Sequence, residues 1–258
     1  MFLLPRNHWQ AKINRYVMGT LGLLLIAVAW NWAAEAHSGL VVAPIGATLK
    51  AVFSLLSDQT FLQQHFRVSL ERMLTALALA VTIGGLLGLA AGLAPAIRAT
   101  LEPLRWMLMT IPGVVIVVVF MLWFGMGSLM VVTIAATMAA PVIYIHVADA
   151  MLLVDKSLLQ MARVYNFGFK SRLLRIYGMA VAGPFFSALA VAAGSIIRVV
   201  VLAEVLGANE GVGYCLAIAR SRLDTPELYA LALISMSVAG GLEFLIFRPL
   251  EKRLMRRS

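Results

Sequence analysis

A chain of 258 residues that is 62% hydrophobic, only 13% charged and +0.92 in mean hydropathy is not an ordinary soluble domain. Soluble domains run roughly 45–50% apolar and about 25% charged, so here the bilayer must supply much of the apolar environment. The net charge of +9 calls for no nucleic-acid partner if it gathers on one membrane face, where it sets topology and meets anionic membrane lipids.

Crossing a bilayer takes about 20 apolar residues. The first such run is Tyr16–Ala34, preceded by Arg6, Lys12 and Arg15. Ala34-Glu35-Ala36 could pass for a leader-peptidase site, but the run is longer than a leader's apolar segment, so an uncleaved helix is expected. Further spans are predicted at Met73–Leu93, Met107–Phe124, Leu129–Val147, Met179–Ala203 and Leu228–Phe247, the third interrupted near its start by Pro112 and Gly113. The runs are continuous rather than alternating, which argues for helices and against a barrel. The fold class is therefore an all-α membrane protein of about six transmembrane helices.

Lys and Arg near the helix ends give its orientation. With the N-terminus inside, the cytoplasmic side holds fifteen: Arg6, Lys12, Arg15, Arg98, Arg105, Lys156, Arg163, Lys170, Arg172, Arg175, Arg248, Lys252, Arg253, Arg256 and Arg257. The outer side holds five, Lys50, Arg67, Arg72, Arg220 and Arg222, with Arg198 inside the fifth span. Both termini are expected in the cytoplasm. The layout is a cytoplasmic tail at 1–15, a membrane domain at 16–248 and a basic cytoplasmic tail at 249–258. Segments 35–66 and 204–227 would lie outside and a loop at 149–178 inside.

Chemistry-bearing motifs are few. No G-x-x-x-x-G-K-[ST] phosphate loop is present, nor a G-x-S-x-G elbow or H-E-x-x-H pair. His8, His37, His65 and His146 are far apart and lack metal-ligand spacing. No catalytic residue, metal site or cofactor is expected in this chain, and Cys215 alone cannot form an internal disulfide.

The most informative stretch is DKSLLQMARVYNFGFKSRLLRIYG, Asp155–Gly178, a basic insert between two apolar runs. Leu158, Met161, Ala162 and Tyr165 recur at i, i+3, i+4 and i+7, with Lys156, Gln160 and Arg163 opposite. Asn166-Phe167-Gly168 offers a turn, because Asn and Gly tolerate left-handed backbone. Amphipathicity fits a surface helix on anionic lipid and a docking helix for a cytoplasmic partner equally well.

The insert resembles the cytoplasmic Glu-Ala-Ala loop of the permease subunits of ABC importers. Gln160-Met161-Ala162 stands at the Glu-Ala-Ala positions and Asn166 at the glycine, and ARVYNFG is similar to the form in nitrate, sulfonate, taurine and bicarbonate permeases. Gln160 and Gly178-Met179 depart from the pattern, which has Glu and Leu-Pro there. IPGVVIVVVFMLWFGMG (111–127), VVVLAEVLGANEGVGY (199–214), VVAPIGATLKAVFSLL (41–56) and the terminal PLEKRLMRR resemble the same family, so the likeness covers nearly the whole chain.

That resemblance implies a type I importer permease in a bacterial inner membrane. It implies a coupling helix formed by Leu159, Gln160, Met161, Ala162, Arg163, Val164, Tyr165, Asn166 and Gly168, docked on a separate ATPase that carries MgATP. It also implies a second permease copy and a periplasmic solute-binding protein. Arg198 and Glu204, with Phe120 and Trp123, are candidates for the solute path; the alternatives are an Arg198 pair with Glu204 or Glu243, and Glu204 capping its helix or pairing with Arg220 or Arg222. Gly84, Gly88 and Gly92 recur at i+4, which suits close helix packing within the chain, or a dimer seam. Two rival functions remain open. A secondary carrier or channel expects coupling carboxylates near midplane, and a lipid-modifying membrane enzyme expects paired acids or a nucleophile with its base; need for a partner ATPase separates both from an importer.

Overall fold

The computed structural model describes residues 8–37, 39 and 41–241. These residues form α1 (His8–Ala36), α2 (Ile45–Ser57), α3 (Arg67–Leu93), α4 (Pro95–Thr110), α5 (Gly113–Phe124), α6 (Ser128–Leu152), α7 (Lys156–Val164), α8 (Phe169–Arg172), α9 (Gly178–Gly207), α10 (Val212–Arg222) and α11 (Thr225–Gly241). Wide π-type turns at Phe61–Phe66 and Leu173–Tyr177 lengthen two of them, so apolar helix runs unbroken through Phe61–Leu93 and Phe169–Gly207.

α6 is the central helix and packs between α3 and α9. Its Ile134, Ala135, Ile143 and Val147 meet Ala76 and Ala80 of α3 and Ala188, Ala192, Ile196 and Val200 of α9, all buried. Small residues on α3 and α9 bring the backbones close, which is how helices associate where lipid removes most of the hydrophobic drive. A second cluster joins α10 and α11 to Phe61 and the inner face of α2 through Val212, Ala219, Leu231 and Ile234. α1 is held by the Trp30 indole N–H, which donates to the Ala43 carbonyl at 2.9 Å, and by the Trp30 ring packed on Tyr229.

By length and composition, Val17–Ala36, Phe61–Leu93, Ser128–Leu152 and Phe169–Gly207 can each cross a bilayer. The expected third span, Met107–Phe124, is corrected. It is no continuous helix: α4 ends at Thr110, α5 begins at Gly113, and the two axes are bent by 104°. Pro112 is the cause, because its ring disfavours helical backbone at the residue before it, and Ile111 is extended at φ −65°, ψ 129°. Counted as one broken crossing, the pair brings the described residues to five spans rather than six. Of the sixth expected span, Leu228–Phe247, the first part lies in α11 and residues 242–247 lie outside the described residues, as do residues 1–7 and the basic tail at 249–258.

Candidate functional site

α7 is built to be short and to hold its shape. Asp155 caps it by accepting the Ser157 N–H at 2.8 Å, and that hydrogen bond holds the Asp155 carboxyl below the ordinary carboxylate range. At the other end Asn166 turns left-handed at φ 53°, and the Phe167 N–H closes back onto the Ala162 carbonyl at 2.8 Å. The turn expected at Asn166–Gly168 is thus the C-terminal stop of the helix.

The faces of α7 divide differently from the simple amphipathic reading. Ala162 is fully buried and Leu159 half-buried, so these two seat the helix on its own chain. Leu158, Met161, Val164 and Tyr165 are all exposed, as is Leu153 just before the helix. Gln160, Arg163, Asn166 and Gly168 are exposed around them. The result is a short rigid element with an apolar side turned away from the molecule, attached through α8 to the long helix ending at Gly207.

At that far end lies a buried polar cluster. Glu204 is fully buried, and Arg72 is only 4% exposed. Arg72 Nη1 donates to Glu204 Oε1 at 2.8 Å and to the Glu210 carbonyl at 2.7 Å, while Nε and Nη2 reach Ser128 Oγ at 3.0 and 2.9 Å. Ser69 Oγ lies 2.8 Å from both Glu204 oxygens and accepts the Val212 N–H at 2.8 Å. Glu204 Oε2 accepts the Gly213 N–H at 2.9 Å, so a carboxylate from α9 caps the first turn of α10. His65 Nδ1 accepts the Gly211 N–H at 3.2 Å. Gly211 sits at φ 112°, and a Cβ there would fall 2.4 Å from the Glu204 carboxylate, so both backbone and space demand glycine.

One expectation is corrected by this cluster. Arg72, counted among the outer-side cations at the start of the second span, lies within α3 and is buried there. Glu204 pairs with Arg72 across 132 residues of sequence, not with Arg198, Arg220 or Arg222. Arg198 cannot share this partner: six residues turn a helix by about 600°, leaving the two side chains roughly 120° apart in azimuth. Arg198 is exposed and, among the described residues, donates a 3.2 Å bond to Ser195 Oγ; Glu243, its other suggested partner, lies outside the described residues.

Residues 80–256 match the model of the family described as "Binding-protein-dependent transport system inner membrane component". The chain belongs to that family. It is thus an ABC transporter permease, a multi-pass protein of transmembrane transport. Among its relatives is the putative aliphatic sulfonates transport permease protein SsuC of Bacillus subtilis, 28% identical over 98% of this chain and 94% of the relative. The taurine transport system permease protein TauC of Escherichia coli is 27% identical over 96% and 93%. The formylaminopyrimidine transport permease protein ThiX of Halalkalibacterium halodurans is 26% identical over 92% and 94%.

In this permease the two aromatic candidates sit together on α5, where the Phe120 ring packs on Trp123 at 5.5 Å and on Phe124 at 5.6 Å. Trp123 is largely exposed and Phe120 half-buried. Gly84, Gly88 and Gly92 face α6 of the same chain, where added Cβ atoms would strike Ala140, Val147 and Met151. Cys215 is half-buried, and burial pushes its thiol up to about 11, out of reach of ordinary thiolate chemistry. The residues missed by sequence reading are Ser69, Arg72 and Ser128. The available signal was a stripe through α3, in which Ser69, Arg72, Ala76 and Ala80 follow one another at intervals of three and four as if all were buried.

Proposed function

We propose that this permease is the transmembrane subunit of an ATP-driven importer for a small anionic solute of the sulfonate or taurine type, and that α7 is its coupling helix. The carrying observation is the outward apolar side of α7, Leu158, Met161, Val164 and Tyr165, on a helix capped at both ends and seated by Ala162. A helix fixed in that way moves the helices beside it as a body. An ATPase subunit bearing MgATP docks there from the cytoplasm, where both permease termini also lie, in a bacterial inner membrane. A second permease copy completes the pathway, and a periplasmic solute-binding protein delivers onto 41–64 and 204–227. The names of the sulfonate and taurine relatives support the solute class.

The test is co-purification from native membrane with an assay of magnesium-dependent ATP hydrolysis. Met161→Asp with Tyr165→Ala, both at exposed positions, is expected to abolish ATPase association and solute uptake while the permease still accumulates in the membrane. Uptake by the intact chain with no ATPase present would refute the reading.

Arg198 is the proposed anion contact. An exposed cation within a membrane helix must face water or a partner, since lipid tails cannot solvate it. Arg198→Gln is expected to raise the half-saturating solute concentration about tenfold, the order expected for a lost charge-assisted hydrogen bond, while leaving ATPase association unchanged. Unchanged uptake kinetics would remove Arg198 from the pathway.

A further inference from the structure

A cavity of about 170 Å³ lies between α3, α4 and α6, walled by Leu87, Leu104, Leu108, Thr137, Ala140 and Tyr144. A second cavity, about 120 Å³, adjoins it at Arg105 and Tyr144 and is charged rather than apolar, bounded by Arg98, Glu102 and Asp149. Together they form one groove along a single face of α6. The apolar part touches positions 136, 137, 140, 141 and 144, the polar part 144, 145, 148 and 149. From 136 to 149 the helix rises about 20 Å, enough to run from one membrane interface well into the hydrocarbon of the adjoining leaflet.

Tyr144 lines both parts; its hydroxyl is buried and has no hydrogen-bond partner among the described residues, on a residue only 6% exposed. A buried hydroxyl without a partner is costly, so this position is short of an acceptor. Beside it, Arg98 Nη2 donates to Asp149 Oδ1 at 3.0 Å and Arg105 is paired with Glu102. Each guanidinium has five donors and spends few of them there, and both carboxylates are about half exposed. The polar end thus presents two cations, two carboxylates and one idle hydroxyl donor.

We infer that this groove holds one membrane phospholipid, its acyl chain in the apolar part and a zwitterionic head at the charged end. The phosphate accepts from Tyr144, Arg98 and Arg105, and a head-group ammonium lies on Asp149 or Glu102. The order of the two parts favours a lipid: the charges stand by the last turn of α6, which ends at Leu152, and the apolar part runs from there toward the middle of the helix. Balanced charge favours a phosphoethanolamine head over a purely anionic one. Binding itself rests on the groove; only the assignment to the cytoplasmic leaflet rests on the orientation proposed above.

The experiment is native mass spectrometry of the full-length permease, stripped in detergent and titrated with phosphatidylethanolamine or phosphatidylglycerol. One phosphatidylethanolamine per chain is expected, held more tightly than phosphatidylglycerol. Tyr144→Phe should weaken it about tenfold, as for loss of a hydrogen bond to a charged group, without lowering the melting temperature of the lipid-stripped protein. A purely structural tyrosine would instead lower that temperature and leave lipid affinity alone. Thr137→Phe, which fills the apolar part and leaves every charge in place, should abolish retention. Equal lipid affinity in the wild type and both variants would overturn the inference, as would displacement of the lipid by an alkanesulfonate, which would make the groove a solute site.

Discussion

Arg72→Met alone is expected to cost the permease about 3–5 kcal/mol of stability, the range found when one partner of a buried ion pair is removed. The Glu204 carboxylate would stay fully buried, and the guanidinium that also ties Ser128 and the Glu210 carbonyl to α3 would be gone. Glu204→Gln should be costly as well but milder, because an amide oxygen can still accept from Gly213 and Ser69. The double variant is the informative one. With the charge removed from both sides, Arg72→Met/Glu204→Gln is expected to recover more than half of what Arg72→Met loses, since the main cost of the single change is an uncompensated charge. Melting temperatures of the three purified variants in one detergent provide the check. A single Arg72→Met protein that melts with the wild type would show that the cluster contributes little.

The second large effect is graded along one seam. A Cβ at Gly84 would lie 2.4 Å from the Ala140 carbonyl oxygen, and one at Gly88 would lie 2.8 Å from Val147 Cβ and 2.9 Å from the Tyr144 carbonyl oxygen. Backbone cannot yield without moving the helix, so Gly84→Ala and Gly88→Ala should each cost about 1–3 kcal/mol through overpacking. At Gly92 an added Cβ would fall 2.6 Å from the Met151 sulfur and 2.7 Å from the Met151 Cβ. The thioether can swing aside, but the Cβ moves only with the α6 backbone. Alanine gains up to about 1 kcal/mol over glycine in a helix interior, which offsets part of that cost. With no backbone oxygen in the way, Gly92→Ala should cost about 1 kcal/mol, less than Gly84→Ala or Gly88→Ala. Equal losses at all three positions in a melting series would contradict this account of the seam, and a loss only in the assembled transporter would place the glycines between copies.

Much of this was legible from the chain itself, for reasons particular to each element. α6 and α9 are long apolar runs whose few charges, Asp149 in one and Arg198 and Glu204 in the other, fall toward their C-terminal ends, so hydropathy located them within about five residues. The insert at 155–178 carried its helix in the spacing of Leu158, Met161 and Ala162, and its stop in Asn166. The i+4 glycines marked a close-packed face without naming the helix opposite. Spacing could not reveal the Arg72–Glu204 pair, because its two members lie on different helices and meet only once α3, α6 and α9 have packed. The proline at 112 was visible, yet a proline within an apolar run is compatible with a kink or a full break, and only the extended backbone at Ile111 decides between them. The division of α7 was hidden for a similar reason: amphipathic spacing defines an apolar side, not which part of it the rest of the chain covers.

The break at Ile111-Pro112 bears on how this protein is made. Helix ends carry unpaired N–H and C=O groups, and lipid offers nothing to satisfy them. An interrupted crossing is tolerated only against other protein or along a wet cavity. Here the chain's own later helices supply that cover: Ile111 packs against the buried core, and Gly113 lies against Met138 of α6 and Leu202 of α9. Both helices follow the break in the chain, so the segment becomes tolerable only once they have been made and packed beside it, late in folding.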